Sequence, residues 1–482
     1  MTKIHVDLPS RKERRLSKQR KSRFLRHSTN DNPLNGKHLR LYFPLKVKFT
    51  LSHFFAGIWL TISIYLSRTW VHGLAMYVTL PVAIIIIAGI AYIPGYINAF
   101  TVASLIFDTQ PTFKVKNPRV PVTVLIACHN EANIVNFRRY KKVTQIGLTL
   151  EYLHNQTYLG EIKVIVIDNN ASDDTSEVAR RYGKNLYMDL RVIKEPNQGK
   201  HNALNTALQM VDTPYFITLD ADTVLMPGSI QYLIARQLSS PPDVVATAGT
   251  ILARNGRKNF WTRIQEWDYF LGIASIKRLQ GMYQSVLVAQ GAYSVYETEK
   301  IRRIGGFPDV IGEDIVVTWK LLENGWKIYF EPLAVAFTDV PESLKHFQRQ
   351  RSRWARGMVE ALRRIKPWQH KLMFARYATL LNLWMPFLDT VYTLVWMPGV
   401  ILVFCGHEWV AGPITLLVLP LALLQNYTLY VYQSRVFQHL NLRMRKNQTG
   451  YVFYVLSYQA FMSPISLWGY VEELFNQKRV WK

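Results

Sequence analysis

Four short groups of residues in this chain carry side chains whose types and spacing suit chemistry as well as packing. Asp220 and Asp222 stand one residue apart at the end of the apolar run YFITLD. Two carboxylates at a strand end can approach one hard divalent cation, which can then neutralise a diphosphate leaving group. The same D-x-D pair is also common as a plain polar turn. Lys200 follows Gln198 and Gly199 at the start of the helical stretch HNALN. Glycine permits close backbone approach, and a lysine at a helix N-terminus can meet phosphate oxygens; a glycine turn with a surface lysine would read the same. Glu313 and Asp314, after Gly312, precede the amphipathic stretch IVVTWKLLENGW. They fit either a favourable charge at that helix's N-terminus or a general base poised by its neighbour. Gln350, Arg353 and Trp354 lie at i, i+3 and i+4 in the basic stretch HFQRQRSRWARG and so share one helical face. An amide and a guanidinium beside an indole suit a diphosphate next to a stacked sugar ring. An interfacial helix with its cations among lipid headgroups and its Trp as an anchor would look alike.

The scaffold that must position these groups runs from about Pro118 to Lys366. Short β-branched runs at 122–127, 164–168 and 215–220 alternate with helical stretches, which predicts a mostly parallel sheet with helices on both faces, an α/β fold. Ligands of such folds bind beyond the carboxyl ends of the strands. Each of these runs ends in polar residues there: Cys128 to Glu131, Asp168 to Asn170, and Asp220 to Asp222.

Outside this region the composition changes. The chain has 482 residues and a net charge of +25, with mean hydropathy near zero, but nearly charge-free apolar runs flank the soluble-looking middle. Much of the positive charge sits in the tail 1–47, densest from Arg11 to Arg26, and in the loop holding Arg435, Arg443, Arg445 and Lys446. Basic clusters beside apolar runs are topology signals, which argues against nucleic acid as a partner. Two spans fall within 48–101, at 49–66 and 75–100; about three follow in 367–482, at 384–404, 411–432 and 451–470, with Pro464 inside the last. Counting crossings puts the tail, the middle region and the basic loop on the cytoplasmic side of a multi-pass membrane protein; the basic C-terminal residues Lys478, Arg479 and Lys482 disagree with that count. Cys128 and Cys405 lie in unlike contexts and offer neither disulfide nor metal spacing.

Taken in order, IACHNE, NQGKHNALN, the D-x-D pair, GGFPDVIGEDIVVTWKLLENGWKIYFEP and QRSRW resemble the processive, membrane-integrated family-2 glycosyltransferases, which include cellulose, chitin, hyaluronan and poly-N-acetylglucosamine synthases. The resemblance covers 118–366 closely and the flanking spans in arrangement. It implies a GT-A type domain inserted between transmembrane helices, with Ala127, Glu131 and Asp168 holding the uridine of a UDP-sugar. It implies Lys200 and Asp220 at the diphosphate, Asp222 with Asp220 at a Mg2+ or Mn2+ ion, and Asp314 as general base beside Glu313. Gln350, Arg353 and Trp354 would close over the diphosphate and floor the acceptor site. Gln290 and Gly291, in VLVAQGAYSVYE, would contact the growing polysaccharide.

The compact layout most resembles the poly-β-1,6-N-acetylglucosamine synthases, which implies UDP-N-acetylglucosamine as donor, inversion at the anomeric carbon, and export coupled to growth beside the membrane lipid. Control would fall to a small accessory or regulatory membrane subunit. Two departures stand out. IDNNASDDT lacks the glycine the family usually has after the Asp, and the helix expected over NFRRYKKVTQIGLTLEYLHNQ is about ten residues longer than usual. Three other functions fit the same residues: a hyaluronan-, chitin- or cellulose-type synthase, single-sugar transfer to a lipid carrier, and an inactive membrane scaffold, the last disfavoured by the intact acids at 220, 222 and 314.

Overall fold

The computed structural model describes residues 43–108, 110–137, 141–412, 419–442 and 446–475. The tail cluster Arg11–Arg26, Arg443 and Arg445 of the basic loop, and the C-terminal Lys478, Arg479 and Lys482 lie outside them.

The middle region folds around an eight-stranded sheet. In chain order its strands are β1 (Val122–Cys128), β4 (Ile162–Asn169), β5 (Asp189–Glu195), β6 (Tyr215–Leu219), β7 (Val224–Leu225), β8 (Val244–Ala253), β9 (Tyr293–Glu297) and β10 (Lys327–Thr338); β2 (Ile134–Phe137) and β3 (Lys141–Thr144) form a separate hairpin. The sheet order is β5-β4-β1-β6-β9-β8-β10-β7. β5, β4, β1 and β6 run parallel, as do β8 and β10, while β9 is antiparallel to both of its neighbours and β7 to β10. The sheet is thus mixed around a parallel half.

The unbroken apolar runs are explained by burial on both faces. Val122, Val124 and Ile126 join Val164 and Val166 in one apolar layer, whereas Leu125 joins Ile165 and Ile167 in the other. Strand side chains alternate between faces, so both must be apolar when helices cover both. Each such aliphatic side chain stabilises the fold by about 1.5–3 kcal/mol. In β10 the ladder shifts register between Phe330 and Val335. There Glu331, fully buried, accepts from the Arg236 guanidinium at 2.7 Å and from the Leu333 amide at 3.0 Å, and Phe113 packs beneath the same guanidinium, 4.4 Å from its ring centre.

The segment expected as one long helix is a hairpin followed by a helix of ten residues, Gln145–His154. Ile134 and Val135 on one arm, and Val143 and Thr144 on the other, are β-branched residues that favour extended backbone; helix begins only after Thr144.

Among the described residues, three helices are long and apolar enough to cross a membrane: Leu45–Leu66, Leu80–Ile106 and Met373–Phe404. Their outer faces leave Phe54, Ile62, Ile85 and Ile401 exposed, as a lipid-facing surface would. The other two expected spans correspond to Leu419–His439 and Gln448–Leu474, whose described residues fall short of that apolarity. Helix continues through Pro464. Asp389, in the third apolar helix, accepts from Ser463 at 2.6 Å and Tyr470 at 2.8 Å, so the last helix is held to it by polar contacts that spare a buried carboxylate from being unpaired.

Buried polar contacts also fix the catalytic-type domain onto the first two helices. Ser104 bonds both Ser52 and Tyr283 at 2.9 Å. Arg278 donates to Asp108 at 2.6 Å and stacks 4.2 Å from the Tyr432 ring centre.

Candidate active site

The polar residues at the carboxyl ends of the parallel strands line one edge of the sheet. β1 and β4 are in register with Cys128 opposite Asp168. Asp168 turns its carboxylate onto its own loop, accepting from the Ala171 amide at 2.9 Å and from the Ser176 hydroxyl. Asn170 holds a left-handed conformation, φ 55°, so the missing glycine is replaced by the residue that tolerates that region best after glycine. The ACHNE segment is tied to the same loop: the Glu131 amide donates to Thr175 Oγ1 at 2.8 Å and the Ala132 amide to Asp173 at 2.9 Å. Ala127 packs beside the second apolar layer at the end of β1.

Gly199 has φ 141° and donates its amide to Asn169 Oδ1 at 2.7 Å. This backbone, which only glycine adopts easily, starts the helix Lys200–Met210 and aims Lys200 inward. Its ammonium lies 2.5 Å from Asp220 and 3.9 Å from Glu313. Burial opposes the lysine's charge, but Asp220, Glu313 and Asp314 outweigh it and raise its pKa. The D-x-D turn is joined to the loop before β9 by the Asp220 amide on Ala292 O at 3.3 Å.

Gly291 is the narrowest point of this cluster. A Cβ there would sit 2.9 Å from Lys200 Nζ and 3.7 Å from Glu313 Oε1. Its amide donates to Asp314 Oδ2 at 3.2 Å, while Asp314 Oδ1 accepts from the Ile315 amide at 2.9 Å. Glu313 and Asp314 occupy the first turn of the helix Glu313–Glu323. Burial, then Asp314, pushes the Glu313 carboxyl up to about 7 against the opposing pull of Lys200 and Arg353. Gln290 spends its amide on the Gly249 carbonyl of the sheet; its Oε1 is buried and without a partner among the described residues.

The helix Leu344–Arg364 carries QRSRW over this edge. It reaches so close because Gly357 meets Gly312: a Cβ on Gly357 would lie 3.1 Å from Gly312 Cα. The Ile311 amide bonds Glu360 at 3.0 Å beside this contact. Trp354 is 37% exposed, with its ring centre 4.1 Å from the Arg351 guanidinium, which is itself buried and paired with Asp268 at 2.7 Å. Gln350 Oε1 is buried with no partner among the described residues.

The acids on the other side concentrate charge. Asp222 accepts from Thr338 at 3.1 Å and Thr223 at 3.2 Å, yet burial and then Asp220 push it up to about 6. Glu131 is pushed up to about 7 by burial, Asp222, Asp220 and Asp173. Such buried negative charge is what a divalent cation would relieve, so these carboxylates fit Mg2+ or Mn2+. Among the described residues no group of three or more His, Cys, Asp or Glu is arranged to hold an ion. The remaining oxygens would come from a diphosphate and water.

Lys200 therefore meets Asp220 and Glu313 and lies against Gly291, which in turn meets Asp314, and Arg353, Asp222 and Glu131 act on that cluster through their charge. Asp168 and Gln290 are instead committed to loop and sheet. Sequence reasoning missed Asn169, Asp173 and Thr175, which order the loop, and Arg351, which supports Trp354 from below. The acids and hydroxyls of ASDDT were the visible signal for the loop; nothing distinguished Arg351 among its basic neighbours.

Residues 123–305 match the family described as Glycosyl transferase family 2, and residues 215–431 match Glycosyl transferase family group 2. The chain is 31% identical over 284 residues to a poly-beta-1,6-N-acetyl-D-glucosamine synthase of Staphylococcus epidermidis, covering 58% of this chain and 65% of that one. It is 31% identical over 247 residues to the synthase of the same description from Staphylococcus aureus (strain MW2), covering 50% and 56%. It thus spans less than two thirds of the length of these curated relatives. In fold it is similar to the solved mannosyltransferase PcManGT from Pyrobaculum calidifontis, in complex with GDP-Man and Mn2+, with TM-score 0.53 and 18% identity over 87% of this chain and 99% of that one. With the sheet and the D-x-D turn inside these two overlapping matches, residues 123–431 carry glycosyltransferase family-2 domains.

Proposed function

We propose that this protein transfers N-acetylglucosamine from its UDP derivative, with inversion, to the end of a growing β-linked polysaccharide. The transferase domain works on the cytoplasmic side of a multi-pass membrane protein, and the membrane helices pass the product outward. The observation that carries the reading is the contact of Lys200, Asp220, Gly291, Glu313 and Asp314 at the carboxyl edge of the sheet. The sequence relatives, described as poly-beta-1,6-N-acetyl-D-glucosamine synthases, support the choice of sugar and polymer.

In this reading Asp314, oriented by two backbone amides, accepts the proton of the acceptor hydroxyl as its oxygen attacks the anomeric carbon. Lys200 and Arg353 hold the diphosphate whose charge grows as the bond breaks. Asp220 and Asp222 would hold Mg2+ or Mn2+, which neutralises the departing diphosphate when bound. Glu131 and the ordered 168–176 loop form the uridine side. Trp354, stiffened by Arg351, offers an aromatic face to the acceptor sugar. A single displacement converts an α-linked donor to a β-linked product.

The test is turnover by the full chain in detergent or lipid nanodiscs, given Mg2+ or Mn2+ and one sugar nucleotide at a time. The panel includes several UDP-sugars and, because the similar structure holds it, GDP-mannose. UDP release with UDP-N-acetylglucosamine and a long labelled product are expected. A short glycolipid, or release with GDP-mannose alone, would overturn the reading.

A further inference from the structure

The loop between Val286 and Gly291 carries the amide that meets Asp314, and nearly every polar atom of its backbone is held by a side chain. Leu287 O accepts from Trp319 Nε1 at 3.1 Å, and the Leu287 amide donates to Gln280 at 3.0 Å. The Ala289 amide donates to Thr318 at 2.9 Å, whose own hydroxyl donates to Asp314 O at 2.6 Å. Ala289 O accepts from the Tyr296 hydroxyl, and Val288 O from Lys277 Nζ. Trp319, Thr318 and Tyr296 belong to the transferase core. Lys277 and Gln280 instead belong to the helix Ala274–Met282.

That helix is fixed to the membrane part of the protein. Arg278, the next residue, pairs with Asp108 just beyond the helix Leu80–Ile106, and Tyr283, at the helix end, bonds Ser104. Its inner side is pressed against β10, where a Cβ on Gly281 would lie 2.6 Å from Phe330 Cβ. It has little freedom to shift alone.

Lys277 is also an odd residue to bury. Its side chain is 9% exposed, and an ammonium has three donors, of which the Val288 carbonyl takes one. The carboxylate whose charge acts on it is Asp314, from the helix Glu313–Glu323, with Glu313 and Lys200 beyond it. Arg278 is turned the other way, to Asp108. A lysine that served packing alone would be replaced at no loss by an apolar residue of its size.

We propose that Lys277 is a positioning residue for sugar transfer: its ammonium pins the Val288 carbonyl, and so holds the Gly291 amide against Asp314 from a helix that is itself anchored to the membrane hairpin. The position of the base is thereby referred to the membrane helices and not only to the sheet. The ammonium also brings positive charge into the electrostatic reach of the Asp314 carboxylate. Burial pulls the amine down to about 8 while Asp314 pulls the other way, so this contribution fades on the alkaline side of neutrality. The inference rests on Asp314 acting as the base.

The experiment compares full-length wild type, Lys277→Met and Lys277→Arg in nanodiscs. Met keeps the volume and removes donor and charge; Arg keeps both. Lys277→Met is expected to lose tenfold or more in kcat, to bind UDP within twofold of wild type, and to lack the fall in rate expected of wild type above about pH 8. Lys277→Arg is expected to recover part of kcat and to move that fall to higher pH. Unchanged kcat and pH profile in Lys277→Met, or a loss matched by an equal loss of UDP affinity, would overturn the proposal. A melting-temperature cycle of Lys277→Met with Asp314→Asn needs no turnover: non-additive shifts support the pairing and additive ones refute it. A chain inactive on every donor would therefore sink the transferase reading while the cycle still decided whether these two residues act on each other.

Discussion

Gly291→Ala tests the crowded centre of the site with one methyl group. The backbone at Gly291 is not in the left-handed region that favours glycine, so alanine is tolerated by the chain itself. The new Cβ would stand 2.9 Å from Lys200 Nζ, closer than real contacts of this kind. Lys200 is the flexible partner and must move, but its ammonium is held between Asp220 at 2.5 Å and Glu313 at 3.9 Å. Moving it sacrifices the Lys200–Asp220 contact while leaving the sheet intact. A charge-assisted hydrogen bond contributes about 1.5–3 kcal/mol, and each 1.4 kcal/mol is tenfold, so kcat/KM should fall roughly 10- to 150-fold. The melting temperature should fall by several degrees at most, because the same contact also contributes to the folded state while no buried apolar contact is lost. The assay is UDP release against donor concentration, with a thermal melt on the same preparation. A variant within twofold of wild type in kcat/KM would show that the lysine does not depend on this packing. A melt lowered by about twenty degrees, well beyond what that one contact can supply, would show that the effect is on folding instead.

Asp314→Asn should abolish sugar transfer while leaving UDP affinity nearly unchanged, as read by product radiolabel and calorimetric titration; substantial polymer from it would remove Asp314 as the base. Glu313 has a pKa raised from its ordinary 4.5 to about 7, so the folded state binds more protons than the unfolded one between those values and stability falls as pH rises through that window. Melting curves of Glu313→Gln should lack this component, and a variant with the same slope as wild type would contradict it. Glu331→Ala leaves Arg236 buried without its carboxylate, which costs about 3–5 kcal/mol and should lower the melting temperature by on the order of 10 °C.

The strands that carry the site were readable because they are buried on both faces: runs such as VTVLIA and VIVID leave little choice but a covered sheet. Their polar ends marked the edge where Asp220, Lys200 and Asp314 meet. Much of the rest depends on contacts between residues distant in the chain. That β9 enters between β6 and β8 in the opposite direction is set by packing, since Tyr293–Glu297 reads like any other short strand. The hairpin at 134–144 reads as helix in the sequence because charged residues interrupt its β-branched ones. Asn170 looked like a flaw in the motif until its positive φ showed it doing what glycine does. Lys277 and Arg278 are adjacent basic residues in sequence, yet one faces Asp314 and the other Asp108. No local pattern separates them.

The meeting of Gly312 with Gly357 leaves the helix of Asp314 and the helix of Trp354 touching main chain to main chain. No rotamer intervenes, so the spacing between the helices of Asp314 and Trp354 behaves like a fixed gauge. On the proposed function, any adjustment to a bulkier sugar would have to come from elsewhere than these two helices. Drift at either glycine would open that gauge before it touched a single reacting atom.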